Sequence, residues 1–229
     1  MTTRLQRLGL VLAVFGLVFA AGGAYAFIKT QEGARSLEAF SAAQNVTLTY
    51  NEDGQLIDRG EVAGAQAIMA LLTDDWGYAV NAAELDPNDP VVDTSSEYMY
   101  QMATVAYHTL HGTQTITLDE AFTAPDGTVY EAGVPYEVPV DGRYWADFDR
   151  TNPIDAAVRA AAWTGVAHAL VGELGVGTVT ASTLQMGLGL AGLFAGLGFT
   201  LIVTGLGLVW AVRPATEKSP VLRPAGVPA

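Results

Sequence analysis

Apolar residues in this chain gather into two long runs, and amphipathic patterns are confined to the stretch between them. Between Arg7 and Lys29 lie 21 uncharged residues, Leu8 to Ile28. As a helix that run is about 31 Å long, close to the hydrocarbon thickness of a bilayer. No charged residue occurs from Leu174 to Val212, and Leu184 to Val212 is nearly continuous apolar and glycine sequence. The pattern predicts two transmembrane helices, 8–28 and 184–212. They divide the chain into an N-terminal segment 1–7, a domain 29–183 and a tail 213–229.

Within the domain the periodicity changes. Gly33 to Gln44 reads as a helix that continues the first span, with Leu37 and Phe40 on one side. Val46 to Tyr50 alternates as a strand does, and Asn51-Glu52-Asp53-Gly54 supplies a turn before Leu56-Ile57. Val62, Ala65, Ile68, Met69 and Leu72 recur at helical spacing, which predicts a helix over Glu61–Leu72. Asp86-Pro87-Asn88-Asp89-Pro90 is a loop, because proline withholds a backbone donor. Thr94-Ser95-Ser96-Glu97 fits a capping box, Met99, Met102, Ala106 and Leu110 follow at helical spacing, and Gly112 is expected to close that helix in the left-handed conformation. Strand composition over 113–118, 128–130 and 136–140, with turns at Asp126-Gly127 and Asp141-Gly142, predicts a small sheet. Asn152-Pro153 opens a last soluble helix, on which Asp155 and Arg159 stand four apart and can pair. The fold class is therefore an α+β extracytoplasmic domain between two transmembrane α-helices.

Charge sets the expected topology. Of the 24 acidic residues 23 lie between Lys29 and Glu173, against six of the 11 basic ones, a net −17 for the middle. Arg4 and Arg7 precede the first run, and Arg213, Lys218 and Arg223 follow the second against Glu217 alone. The positive-inside rule then places both termini in the cytoplasm and the middle outside the cell membrane. An alternative reading of the first run is a cleaved signal peptide, with Ala24-Tyr25-Ala26 as its cleavage site. Either reading leaves the middle extracytoplasmic. So acidic a chain has no clustered positive charge with which to hold a nucleic-acid backbone. Cysteine is absent, which excludes disulfides, thiolate metal sites and cysteine nucleophiles.

Small residues at four-residue steps mark a packing ridge in each run: Gly16, Ala20 and Ala24 in the first, Gly192, Gly196 and Thr200 in the second. The ridges are expected to meet within one chain, homo-oligomerisation being their alternative use. Neither run holds an Asp, Glu, Lys, Arg or His, which argues against a proton path, a channel or a transporter.

Candidate chemistry is sparse. His108 and His111 form an H-x-x-H pair and His168 is the third histidine; imidazoles with a carboxylate suit zinc or non-haem iron, so a metal site on His108, His111 and His168 is one reading. The other places the first two at a helix end, where donors meet exposed carbonyls. Asp86, Asp89 and Asp93, and Asp141, Asp147 and Asp149, are two oxygen-rich loops without the order of a calcium-binding loop, and read as solvated acidic faces. Asp141-Gly142-Arg143-Tyr144-Trp145 is the most distinctive short run: Arg143 can meet a carboxylate, and Tyr144 and Trp145 can anchor a partner or pack in a core. No phosphate-binding glycine loop or nucleophile elbow follows a strand, and no catalytic residue or cofactor is expected.

The segments SLEAFSAAQNVTLTYNEDGQLIDRG, EYMYQMATVAYHTLHGTQT, VPVDGRYWADFDR and AWTGVAHALVGELGVGTV, set between the two runs, resemble a group of two-span membrane proteins of actinobacteria. Members of the group often carry the label of a LigA-type aromatic ring-opening dioxygenase. In such extradiol enzymes the iron ligands belong to the catalytic subunit and LigA is a small soluble helical partner; this chain resembles neither. The expectation is an integral membrane protein that displays an acidic domain to a membrane or envelope protein partner without catalysis. The alternative is an extracytoplasmic metal-binding protein or metal-dependent enzyme.

Overall fold

A computed structural model describes residues 2–212; the tail with Arg213, Lys218 and Arg223 lies outside the described residues. In chain order the elements are α1 (Thr2–Gln44), α2 (Val62–Ala70), α3 (Ser95–Leu110), β1 (Thr113–Thr117), β2 (Phe122–Thr123), β3 (Val129–Tyr130), β4 (Pro135–Pro139), α4 (Pro153–Ala162) and α5 (Gly165–Ala211). A π-turn at Leu71–Asp75 follows α2, and a 3-10 turn spans Ala82–Glu84. The chain divides into two units: residues up to Thr30 with those from Gly187 onward, and Gln31–Met186. Two long apolar helices thus flank a small α+β region with short strands.

In the first unit α1 and α5 lie antiparallel on a glycine seam. A Cβ added to Gly16 would stand 2.7 Å from the Gly198 carbonyl oxygen, one on Gly198 2.5 Å from the Ala20 nitrogen, and one on Gly23 2.7 Å from the Ala195 nitrogen. Gly9 meets Gly205 in the same way, and Gly187 meets Thr30. The buried positions Gly9, Gly16, Gly23 and Thr30 are seven apart, as are Ala191, Gly198 and Gly205. That period is the one two helices share when they stay in contact along a left-handed crossing. This corrects the ridge expected from four-residue steps. Gly16 and Ala20 do lie in the seam, but Ala24, Gly192 and Thr200 are exposed, and nothing stands within 4 Å of a Cβ at Gly192 or Gly196. Large apolar side chains point outward along both helices, among them Val18 at 64% and Trp210 at 74% exposure. Both helices are long and apolar enough to cross a membrane.

In the second unit α3 separates two cores. Its Ala106 and Leu110 pack with Ile116, Leu118, Val140, Phe148, Ile154, Val158 and Trp163. Its Tyr98, Tyr100 and Ala103 pack with Leu48, Ala65, Ile68, Leu72 and Leu174. The helix begins at the expected capping box: Thr94 Oγ1 accepts from the Glu97 nitrogen, and the Glu97 carboxylate accepts from the Thr94 nitrogen at 2.9 Å. Its other end differs from expectation. Gly112 is not left-handed; glycine is required there because a Cβ would lie 2.9 Å from the His108 carbonyl oxygen.

The strands form two separate two-stranded sheets rather than one. β1 pairs antiparallel with β4, placing Ile116 opposite Tyr136, and β2, a strand not expected from composition, pairs with β3. Helix α4 is capped as its sequence indicates, with Asn152 Oδ1 accepting from the Ile154 nitrogen at 2.9 Å and proline at the first position. Ile154, Val158 and Ala162 form its buried face, and Val158 is fully enclosed. Burying one such side chain contributes about 1.5–3 kcal/mol.

The part of α5 within this unit packs on α3 through Gly177, where a Cβ would stand 2.6 Å from the Tyr98 ring. Polar contacts supplement that packing: the Ser41 and Tyr98 hydroxyls are 2.8 Å apart, those of Ser95 and Ser182 2.9 Å, and Gln185 Nε2 donates to Glu84 at 2.8 Å.

Candidate functional site

The run from Asp141 to Trp145 leaves β4 through a turn whose geometry its sequence dictates. Asp141 and Gly142 both adopt positive φ, 54° and 72°, a conformation that glycine and aspartate tolerate better than most residues. The Gly142 nitrogen donates to the Leu110 carbonyl and the Val140 nitrogen to that of Gly112, so the turn is pinned to the end of α3.

Arg143 then points inward. Its Nη1 meets Asp155 Oδ1 at 2.7 Å, its Nε donates to the Val140 carbonyl at 3.0 Å, and its guanidinium lies 4.3 Å from the Phe148 ring centre. Asp155 is thereby occupied, because its Oδ2 also accepts from the Asp149 nitrogen at 3.0 Å. The pair of Asp155 with Arg159 that helical spacing allows is absent, which changes the character of the surface.

Four aromatic rings build that surface. Trp76 Nε1 donates to the Tyr144 hydroxyl at 2.8 Å, Tyr144 stacks on Trp163 at 5.9 Å, and Trp163 Nε1 donates to the Arg143 carbonyl at 3.1 Å. Trp145 meets the edge of His168 at 4.9 Å, and the Arg159 guanidinium covers its ring at 3.2 Å. Tyr144 and Trp145 each remain 38% exposed. Of the three partner-binding candidates, then, Arg143 is engaged within the fold, while Tyr144 and Trp145 face outward on a fixed base. Arg159, Trp76 and His168 complete the surface over the buried Trp163, and none of the four was associated with it by sequence. Helical spacing directed attention to Asp155 as the partner of Arg159, and the contacts with Trp76, Trp163 and His168 are tertiary.

The histidines do not form one ligand set, which corrects the metal reading. His108 Nε2 lies 3.0 Å from Asp58 Oδ1 beside α2. His111 stacks on Tyr107 at 4.3 Å with Nδ1 on the Tyr107 carbonyl. His168 sits in the first turn of α5 with Nδ1 3.0 Å from the Thr164 carbonyl. Among the described residues no three histidine, aspartate or glutamate side chains are grouped to hold a metal. The physical reason is that Asp58 and two backbone carbonyls take the imidazole nitrogens separately.

Loop carboxylates likewise satisfy their own turns. Asp86 Oδ1 accepts from the Asn88 nitrogen and Asp149 Oδ1 from that of Thr151. Hydrogen bonds from the Thr151 hydroxyl and nitrogen hold the Asp149 carboxyl below its ordinary range.

A second polar cluster lies inside the α3 core. Glu97 is 2% exposed, and burial pushes its carboxyl up despite hydrogen bonds from Thr94 and Asp93. Burial and the nearby Glu97 and Asp86 push Tyr50 up to about 12, and Tyr100 is raised by burial and by Asp58. Both tyrosine hydroxyls are buried without a partner. Glu84 goes the other way: burial raises it, but hydrogen bonds from Gln185, Ser96 and Asn81 together outweigh that and bring it down.

Comparison with known protein families, with curated proteins and with solved structures finds no match to this chain.

Proposed function

We propose that this chain is an integral membrane protein of two spans, with both termini cytoplasmic, that displays its acidic α+β domain outside the membrane to bind a protein partner or support an envelope complex, without catalysis. The observation that carries the reading is the aromatic surface of Tyr144 and Trp145, exposed yet fixed by Trp76, Trp163 and His168. Exposed aromatics beside an arginine are the composition of binding hot spots, and a rigid base lowers the entropy cost of association. The outward apolar residues of α1 and α5 support the membrane part, and the separation of basic ends from an acidic middle supports the orientation.

Two measurements on the full chain in its native membrane test this. The protein has no cysteine, so Asn88→Cys and Ser219→Cys each introduce a single thiol. A membrane-impermeant maleimide is expected to label the first in intact cells and the second only after lysis. A photoreactive side chain at Tyr144 is expected to give a discrete cross-linked protein, while one at Asp53 is not. Labelling with the opposite polarity overturns the topology; no adduct at Tyr144, or the same adducts at both positions, overturns the interaction role.

A further inference from the structure

We infer that Arg159 is an anion-binding residue, and that it takes a carboxylate from an acidic segment of the protein partner. The inference rests on the display function proposed above and names the chemistry of the partner.

Its starting point is a cation left over in a domain rich in anions. Six basic residues stand among 23 acidic ones between Lys29 and Glu173, so a carboxylate for each is abundant. Asp155, four residues before Arg159 on α4, is at the spacing where such pairs form, but Arg143 and the Asp149 nitrogen occupy both its oxygens. Arg159 instead sits over the Trp145 ring, and its Nε is buried without a partner. Among the described residues its guanidinium has no hydrogen bond and no ion pair. Arg150 is a second cation close by: burial, and then its charge, bring the Arg159 pKa down. An oxyanion bound by Arg159 lessens the repulsion between the two cations.

Donor chemistry selects the anion. A guanidinium is planar and offers paired N–H donors, a shape that matches a carboxylate through two parallel hydrogen bonds. The exposed faces of Tyr144 and Trp145 and the 70% exposed Val166 of α5 supply apolar contact for the chain that bears the carboxylate.

The test uses full-length protein in detergent with acetyl-Glu-Gly-Glu-amide as the probe, followed by tryptophan fluorescence in chloride-free buffer. The expected result is saturable binding at millimolar probe, weakened at least tenfold in Arg159→Gln and with acetyl-Gln-Gly-Gln-amide, and partly retained in Arg159→Lys, which keeps the charge. Equal binding by wild type and Arg159→Gln, or by the two peptides, overturns the inference. So does inorganic phosphate displacing the probe at a lower concentration than free acetate, which makes the site one for phosphate. The photo-cross-linker at Tyr144 separates this from the parent reading. A wild-type adduct reduced several-fold by Arg159→Gln supports both; an adduct that survives unchanged overturns the role of Arg159 alone; no adduct in the wild type overturns display and with it this inference.

Discussion

Asp155 meets Arg143, twelve residues before it, at 2.7 Å and leaves Arg159 on its own helix unpaired. The choice follows from what else Arg143 can reach. From the turn after β4 it bonds the Val140 carbonyl and the Asp155 carboxylate while covering Phe148, so one side chain ties β4, the loop and α4 together. A pair between Asp155 and Arg159 would tie one turn of α4 to itself and contribute only a few tenths of a kcal/mol.

That difference predicts unequal effects of truncation. Arg143→Ala removes a charge-assisted hydrogen bond in a partly buried setting and leaves the Asp155 carboxylate and the Val140 carbonyl underserved, which costs about 2 kcal/mol. Arg159→Ala loses a cation–π contact at the surface and costs about 0.5–1 kcal/mol. Urea unfolding of the two variants in detergent, followed by fluorescence, checks the order. A larger loss in Arg159→Ala would show that the stack on Trp145 is a main strut of the fold.

Stability is expected to depend on pH through Glu97. Its carboxyl protonates at a higher pH in the fold than the ordinary 4.5 of an unfolded chain, because burial outweighs the donors at its oxygen. Between those two values the native state holds more protons, so this group's contribution is fully present below pH 4.5 and is lost as pH rises through the folded value. Asp93, also raised by burial and by Asp89 and Glu38, acts with the same sign. Glu97→Gln keeps an oxygen for the Thr94 and Asp93 donors and removes the charge. The variant is expected to be more stable than the parent at pH 7 and to show a flatter slope from pH 4.5 to 7 in thermal denaturation. An unchanged slope assigns the dependence elsewhere.

Two tyrosines two residues apart are expected to answer oppositely to loss of the hydroxyl. The Tyr98 hydroxyl meets Ser41 in a buried contact, so Tyr98→Phe leaves the Ser41 hydroxyl without a partner and costs about 1 kcal/mol. The Tyr100 hydroxyl is buried and bonded to nothing, so Tyr100→Phe removes a desolvated group at no loss and gains up to about 1 kcal/mol. Chemical denaturation of the pair decides; a cost in both variants means that the Tyr100 hydroxyl is satisfied in solution.

The elements were legible in the sequence wherever one local rule acted alone. The capping box at Thr94 and Glu97, the Asn152-Pro153 start of α4 and the two long uncharged runs each depend on residues a few positions apart. What stayed hidden was decided by competition over distance. Asp155 had two arginines to choose from, and only the fold puts Arg143 nearer. The three histidines shared a residue type, but their nitrogens found Asp58 and backbone carbonyls first. Arg159 drew attention only as a helix pair, because a ring stacked on a guanidinium leaves no spacing signature. Strand composition marked β1, β3 and β4, but not the two-residue β2 or the division of the strands into two separate sheets.

The glycine seam was misread for a related reason, and it yields the sharpest test of the membrane helices. Four-residue steps select Gly192 and Gly196, whereas the helix pair buries positions seven apart, since only that period keeps two crossing helices in contact over several turns. A side chain at Gly198 would enter the backbone of Ala20, and neither helix can yield there without separating. A side chain at Gly196 enters open space, and in a bilayer it would join the other outward apolar residues. Gly198→Leu and Gly16→Leu are therefore expected to lower the denaturation midpoint of detergent-solubilised protein sharply, with overpacking worth about 3 kcal/mol or more, while Gly196→Leu and Gly192→Leu leave it within about 0.5 kcal/mol. If Gly196→Leu instead leaves the monomer intact and breaks an oligomer seen by cross-linking in native membranes, the outward glycines serve a second helix from another chain, and the two small-residue patterns divide intrachain from interchain packing between them.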